Sequence, residues 1–167
     1  PPSWRAPERP AKVFRHASIK PTKRILPRGK TLSRAQHREV RAYKRQIKSY
    51  LRKGWTKSVK RLIATKEVKR LFSDFDIDQA KARLALGYFS AGRDEWAVMW
   101  ASEAAERSGH FLPEANWTAG LASWRLGNLT KSAYFFDAVA TTQGMSDWMT
   151  SASAFWAARA YLVSGKP

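Results

Sequence analysis

The 167 residues include no cysteine, which excludes disulfides, thiolate metal sites and a thiol nucleophile. That absence fits an oxidising compartment as well as a reducing one. No run approaches the roughly 18 consecutive apolar residues of a membrane span, and the first residues carry no apolar signal-peptide region. Histidine is scarce. His16, His37 and His110 are widely separated, and His37 has no ligand-type residue four positions on, so they do not resemble the converging ligands of a zinc site. No nucleophile, base and orienting acid can be assembled around them. No catalytic residue, metal or cofactor is expected.

Acidic residues are scarce at one end only. Residues 1 to 70 hold 23 lysines and arginines against 3 acids, whereas residues 71 to 167 hold 8 against 10. The net charge of +18 therefore belongs to the N-terminal part. Six of the eight prolines fall within the first 32 residues, at positions 1, 2, 7, 10, 21 and 27, with basic residues between them. Proline lacks an amide hydrogen and restricts the residue before it, so residues 1 to 32 are expected to be an extended or disordered basic arm. Residues 33 to 167 are expected to fold.

Glycine is sparse but regularly placed. Gly54, Gly92, Gly127 and Gly165 stand 38, 35 and 38 residues apart, each closing an apolar segment. Glycine suits the left-handed position just past a helix end, so each reads as a corner. Before the corners, Ile47, Tyr50 and Leu51, then Leu84, Tyr88 and Phe89, then Leu121, Ala122 and Trp124, then Phe155, Ala158 and Leu162 recur at helical spacing. After them come Val59, Leu62 and Ile63, then Trp96, Met99 and Trp100, then Leu129, Ala133, Phe136 and Ala140. The pattern predicts helices over about 33–53, 56–72, 77–91, 93–108, 113–126, 129–142 and 147–164, with Gly109 and Gly144 as stops between pairs. The expected fold is all-α: a right-handed superhelix of stacked antiparallel helix pairs, a solenoid like those of tetratricopeptide or Sel1 repeats.

Several short patterns have structural explanations. Asp74, Asp76 and Asp78 imitate the opening of a calcium loop, but Gln79 and Ala85 occupy the places that require glycine and glutamate. They read as a helix entry favoured by the helix dipole. Asn116 and Asn128 head glycosylation-like triplets, the first inside a helix and the second beside the turn at Gly127. The eight tryptophans pose a choice: exposed, they stack on sugar rings or bases; buried, they fill grooves between helices. Trp96, Trp100, Trp117, Trp124 and Trp156 lie in the periodic stripes and are expected in the core.

The first helix carries Arg38, Arg41, Lys44, Arg45, Lys48 and Arg52 around its apolar face, and its partner adds Lys57, Lys60 and Arg61. These nine are the candidate polyanion-binding residues. Nucleic acid, anionic lipid and an anionic cell wall all qualify as partners.

Three segments taken together resemble the α-superhelical part of soluble lytic murein transglycosylases. They are the helix Trp117-Thr118-Ala119-Gly120-Leu121-Ala122-Ser123-Trp124-Arg125-Leu126-Gly127, then Ala133-Tyr134-Phe135-Phe136-Asp137-Ala138-Val139-Ala140, then Ser151-Ala152-Ser153-Ala154-Phe155-Trp156-Ala157-Ala158-Arg159-Ala160. The similarity covers about residues 80 to 165. It implies a periplasmic enzyme that cuts peptidoglycan between its two amino sugars and leaves a 1,6-anhydro product, with the helical part holding the strand. In that family a glutamate in a Glu-Ser context of a separate C-terminal domain is the acid and base. None of Glu8, Glu39, Glu67, Glu95, Glu103, Glu106 and Glu114 is followed by serine. The expectation is a non-catalytic segment that binds or guides peptidoglycan, with an export signal removed and a catalytic module beyond Pro167. Two other readings stay open: a tetratricopeptide-like adaptor for a protein partner, and a basic nucleic-acid-binding helical-repeat protein.

Overall fold

The structure, a computed structural model, describes residues 31–106, 113–142 and 144–165. Within these it is all-helical: α1 (Arg34–Arg52), α2 (Thr56–Ala64), α3 (Lys66–Leu71), α4 (Asp74–Ser90), α5 (Asp94–Glu106), α6 (Pro113–Arg125), α7 (Leu129–Ala140) and α8 (Asp147–Val163). The expected arm, apart from Thr31 and Leu32, lies outside the described residues, as do Gly109, His16 and His110. Leu32 packs against the core beside α1, so the folded part begins just before the expected boundary.

Short polar side chains start the helices by satisfying amides that have no intrahelical partner. Ser33 accepts from the Gln36 amide at 3.2 Å while the Gln36 side chain accepts from the Ser33 amide at 2.8 Å. Ser73 and Asp76 form the same reciprocal box, which sets the start of α4 at Asp74, three residues earlier than the apolar pattern suggests. Asn128 accepts from the Lys131 amide and Ser146 from the Met149 amide.

The four corners share one geometry. Gly54, Gly92, Gly127 and Gly165 have φ of 71°, 70°, 73° and 67°. Each donates its amide to the carbonyl three residues back: Leu51, Phe89, Trp124 and Leu162. At the first three, the next amide reaches five residues back, to Tyr50, Tyr88 and Ser123, closing the helix end in the Schellman manner. Next helices then begin within a few residues.

One predicted helix is two. Thr65, at φ −64° and ψ 149°, interrupts the segment expected over 56–72. Its hydroxyl donates to the Leu62 carbonyl at 2.8 Å and accepts from the Val68 amide at 3.3 Å, so one side chain ends α2 and caps α3. Val68, Leu71 and Phe72 are thereby delivered to the core, with at most 1% of each exposed.

The interior changes character along the chain. Around α1 to α4 it consists of large side chains, among them Ile47, Val59, Ile63, Leu71, Phe72 and Leu84. Farther on it is built from alanine: Ala82, Ala104 and Ala115 meet in one cluster, and Ala85, Ala101 and Ala119 meet with Phe135 in another. Each of α4 to α7 packs on the next, and α4 also touches α6. At the α6–α7 crossing, Ser132 donates to the Gly120 carbonyl at 2.9 Å, and a β-carbon on Gly120 would lie 2.9 Å from the Phe136 ring.

This close packing rotates two helices away from the expected faces. In α5 the buried residues include Ala97, Val98, Ala101 and Ala104, whereas Trp96 and Met99 are exposed. The helix lies between α4 and α6, and small side chains let both approach. In α8, Ser153, Ala157 and Ala160 face inward, while Phe155 and Leu162 are 60% and 72% exposed. Of the tryptophans expected in the core, Trp96 is exposed, whereas Trp100, Trp117, Trp124 and Trp156 are partly buried, Trp100 packing against both the large-residue core and the Ala85–Ala101–Ala119 cluster.

Candidate functional site

The cationic residues of α1 are spaced by alternating steps of four and three. Arg34, Arg38, Arg41, Arg45, Lys48 and Arg52 therefore share one side of the helix, opposite the buried Val40 and Ile47. All six are exposed. At a rise of 1.5 Å per residue they form a row of about 27 Å. Among the described residues none of the six pairs with a carboxylate. Arg34 completes this row and was absent from the nine candidates, although its spacing from Arg38 carried the signal.

Lys44 stands apart from that row. It is half-buried and forms an ion pair with Asp76 of α4. Burial raises the Asp76 pKa, but hydrogen bonds from Lys44 and Ser73 outweigh it, so the carboxyl ends below its ordinary value. Lys44 is thus a tie between α1 and α4.

On α2, Lys57, Lys60 and Arg61 are exposed. The Lys60 ammonium sits 5.5 Å from the centre of the Trp96 ring, which stacks on Tyr88. Lys53, at the end of α1, lies 4.7 Å from the Trp55 ring. Trp55 and Trp96 are 49% and 43% exposed, so cations and indoles are presented to solvent together. Eight of the nine predicted cations are consequently available to an anionic ligand, and the ninth braces the surface they occupy.

Several other ionisable groups serve packing. The buried Lys81 of α4 pairs with Glu103 of α5 and lies 5.9 Å from the Trp100 ring. Arg125 holds Asp94 through its Nε at 2.9 Å and donates to the Phe89 carbonyl at 2.9 Å, bracing the corner at Gly92. Tyr161 donates to Asp137; burial, then that hydrogen bond and the carboxylate charge, raise the phenol pKa far above its usual range. Asn116 is buried within α6 and Asn128 caps α7, so both triplets have structural roles. Among the described residues no three His, Asp or Glu side chains converge where a metal ion would sit. No helix of the described residues is long and apolar enough to cross a membrane.

A second constellation lies on α6, α7 and α8. Trp117 packs on Trp148 at 6.0 Å and edge-on to Phe136 at 5.3 Å between ring centres. Phe136 stacks on Trp156 at 5.9 Å, and Trp156 meets Trp124 edge-on at 5.4 Å. The Arg159 guanidinium lies over both indoles, 5.2 Å from Trp124 and 5.3 Å from Trp156. Phe136 is fully buried, the tryptophans are partly or largely exposed, and the five rings form one continuous series.

No protein-family model, curated protein or solved structure matches this chain.

Proposed function

We propose that the chain is a non-catalytic helical segment of a periplasmic soluble lytic transglycosylase that binds or guides peptidoglycan glycan strands during cell-wall turnover. In this reading the tandem helix pairs wind as a right-handed superhelix, and the cutting glutamate belongs to a separate module. The observation that carries the binding role is the row of six exposed cations on α1, joined by Lys57, Lys60 and Arg61 on α2. Peptidoglycan stem peptides bear carboxylates at intervals along a polymer, and a linear cationic row engages several at once. The order of the tryptophan-glycine, aromatic-alanine and alanine-rich segments in α6, α7 and α8 supports the choice of polymer. Charge distribution weighs against nucleic acid. The excess of positive charge ends with α3, whereas a phosphate-tracking groove would continue it along α4 to α8.

Cosedimentation with purified sacculi tests the proposal. The chain is expected to pellet with them at low ionic strength and to be released as salt rises. Replacing Arg41, Arg45 and Lys48 together by glutamate is expected to weaken pelleting at least about tenfold, because three contacts turn repulsive. Unchanged pelleting of that variant, or tighter binding to RNA or DNA than to sacculi, would overturn the reading. Release of anhydromuropeptides by the chain alone would overturn the non-catalytic assignment.

A further inference from the structure

We infer that the ring series on α6 and α8 is a sugar-stacking site for a β-linked amino-sugar chain, formed by Trp148, Trp117, Trp156 and Trp124 with Arg159 at one end. The inference rests on the peptidoglycan reading for the identity of the ligand, but it concerns surface remote in sequence from the cationic row.

Geometry supports it first. Trp117 and Trp124 are seven residues apart on α6, and Trp148 and Trp156 eight apart on α8, each separation being about 10–12 Å along its helix. Trp117 meets Trp148 and Trp124 meets Trp156, so the indoles form two pairs at two levels. Phe136 lies between the levels, buried, and touches one indole of each pair. One indole of each pair is thus backed by a residue that no ligand can reach. Two indole pairs so separated are commensurate with the disaccharide repeat of a β-1,4-linked amino-sugar polymer.

Charge then selects the ligand class. Helices α6 to α8 carry Arg125, Lys131 and Arg159 against Glu114, Asp137 and Asp147, a balance of zero. A nucleic acid stacking its bases on these indoles would bring one phosphate per base to a surface with no excess of cations. A sugar chain has no such requirement. Its apolar ring faces stack on indoles, and its sparse carboxyl and acetamido groups need only an occasional donor. Arg159 supplies one. Its guanidinium lies over the Trp124–Trp156 pair and so presents donors beside those rings.

Chitohexaose, an uncharged β-1,4 chain of N-acetylglucosamine, separates this site from the cationic row when titrated against the whole chain by tryptophan fluorescence. Saturable quenching, insensitive to added salt, is the expected result. Trp148→Ala is expected to weaken binding about fivefold to tenfold, the loss of one aromatic contact. Trp148 is 67% exposed, so the variant should keep the wild-type circular dichroism. Arg159→Gln is expected to bind the neutral hexamer nearly as wild type but carboxylated muropeptides more weakly. The combined Arg41, Arg45 and Lys48 glutamate variant should retain hexamer binding. Absence of quenching by the hexamer, while sacculi still pellet the wild-type chain, would overturn the stacking site and leave the cationic row standing. Hexamer binding without sacculus binding would instead overturn the peptidoglycan reading. A folded Trp148→Ala variant that binds like wild type, or quenching by single-stranded RNA in place of the hexamer, would also overturn the sugar assignment.

Discussion

Gly120 decides how closely α6 and α7 approach. Adding a methyl there improves helix propensity by about 1 kcal/mol, yet it would stand 2.9 Å from two atoms and 3.0 Å from another atom of a ring that is itself enclosed. Overpacking of this kind typically costs about 1–3 kcal/mol, so it wins. Gly120→Ala is expected to lower the melting temperature by several degrees and, because Phe136 touches Trp117 and Trp156, to change the near-ultraviolet circular dichroism. An unchanged aromatic spectrum with raised stability would contradict this account. Residue roles of this type were the least legible part of the sequence. Gly54, Gly92 and Gly127 end apolar stripes and advertise themselves as corners, whereas Gly120 lies between apolar residues and carries no turn signal. The tryptophans were legible as members of stripes but not as partly exposed rings. Periodicity reports that a side is apolar; it does not report whether alanine or tryptophan on that side faces the neighbour.

At the level of elements, most of the helices were written in local chemistry. Ser33, Asn128 and Ser146 precede apolar stripes, and Pro113 opens α6 where a missing amide hydrogen is harmless. The joint at Thr65 was hidden because threonine is tolerated inside helices and neither glycine nor proline stands nearby. What breaks the helix is a pair of local hydrogen bonds to Leu62 and Val68, together with the burial gained when α3 turns inward. Thr65→Ala removes both bonds and is expected to destabilise by about 1 kcal/mol, lowering the melting temperature by about 3 °C. Thr65→Ser keeps the hydroxyl and should recover most of the loss. If alanine is instead neutral or stabilising, the cap contributes nothing and α2 simply continues into α3. The cationic row was legible for the same reason the helix was, since alternating steps of three and four place residues on one side. Lys44 breaks the rule only through a partner 32 residues away, which no local pattern reveals.

Across the whole molecule, positive charge and large aliphatic packing share one half, while alanine packing and half-exposed rings share the other. The Lys44–Asp76 pair ties α1, which bears the cationic row, to α4. Because Asp76 titrates below its ordinary value of 3.8 when folded, its contribution is present above that pH and is lost as pH falls through the lower folded value. The melting-temperature difference between wild type and Asp76→Asn is therefore expected to be largest near neutrality and to shrink steadily below about pH 4. A difference that stays constant into strong acid would remove the pair from the stability of the fold. The alanine layers of α4 to α6 carry a separate implication. A methyl group on a backbone has no torsions to explore, so these layers freeze almost no side-chain freedom on folding and have no alternative arrangement to fall into. The entropy lost in ordering aliphatic side chains is therefore concentrated in the leucine and isoleucine residues around α1 to α3.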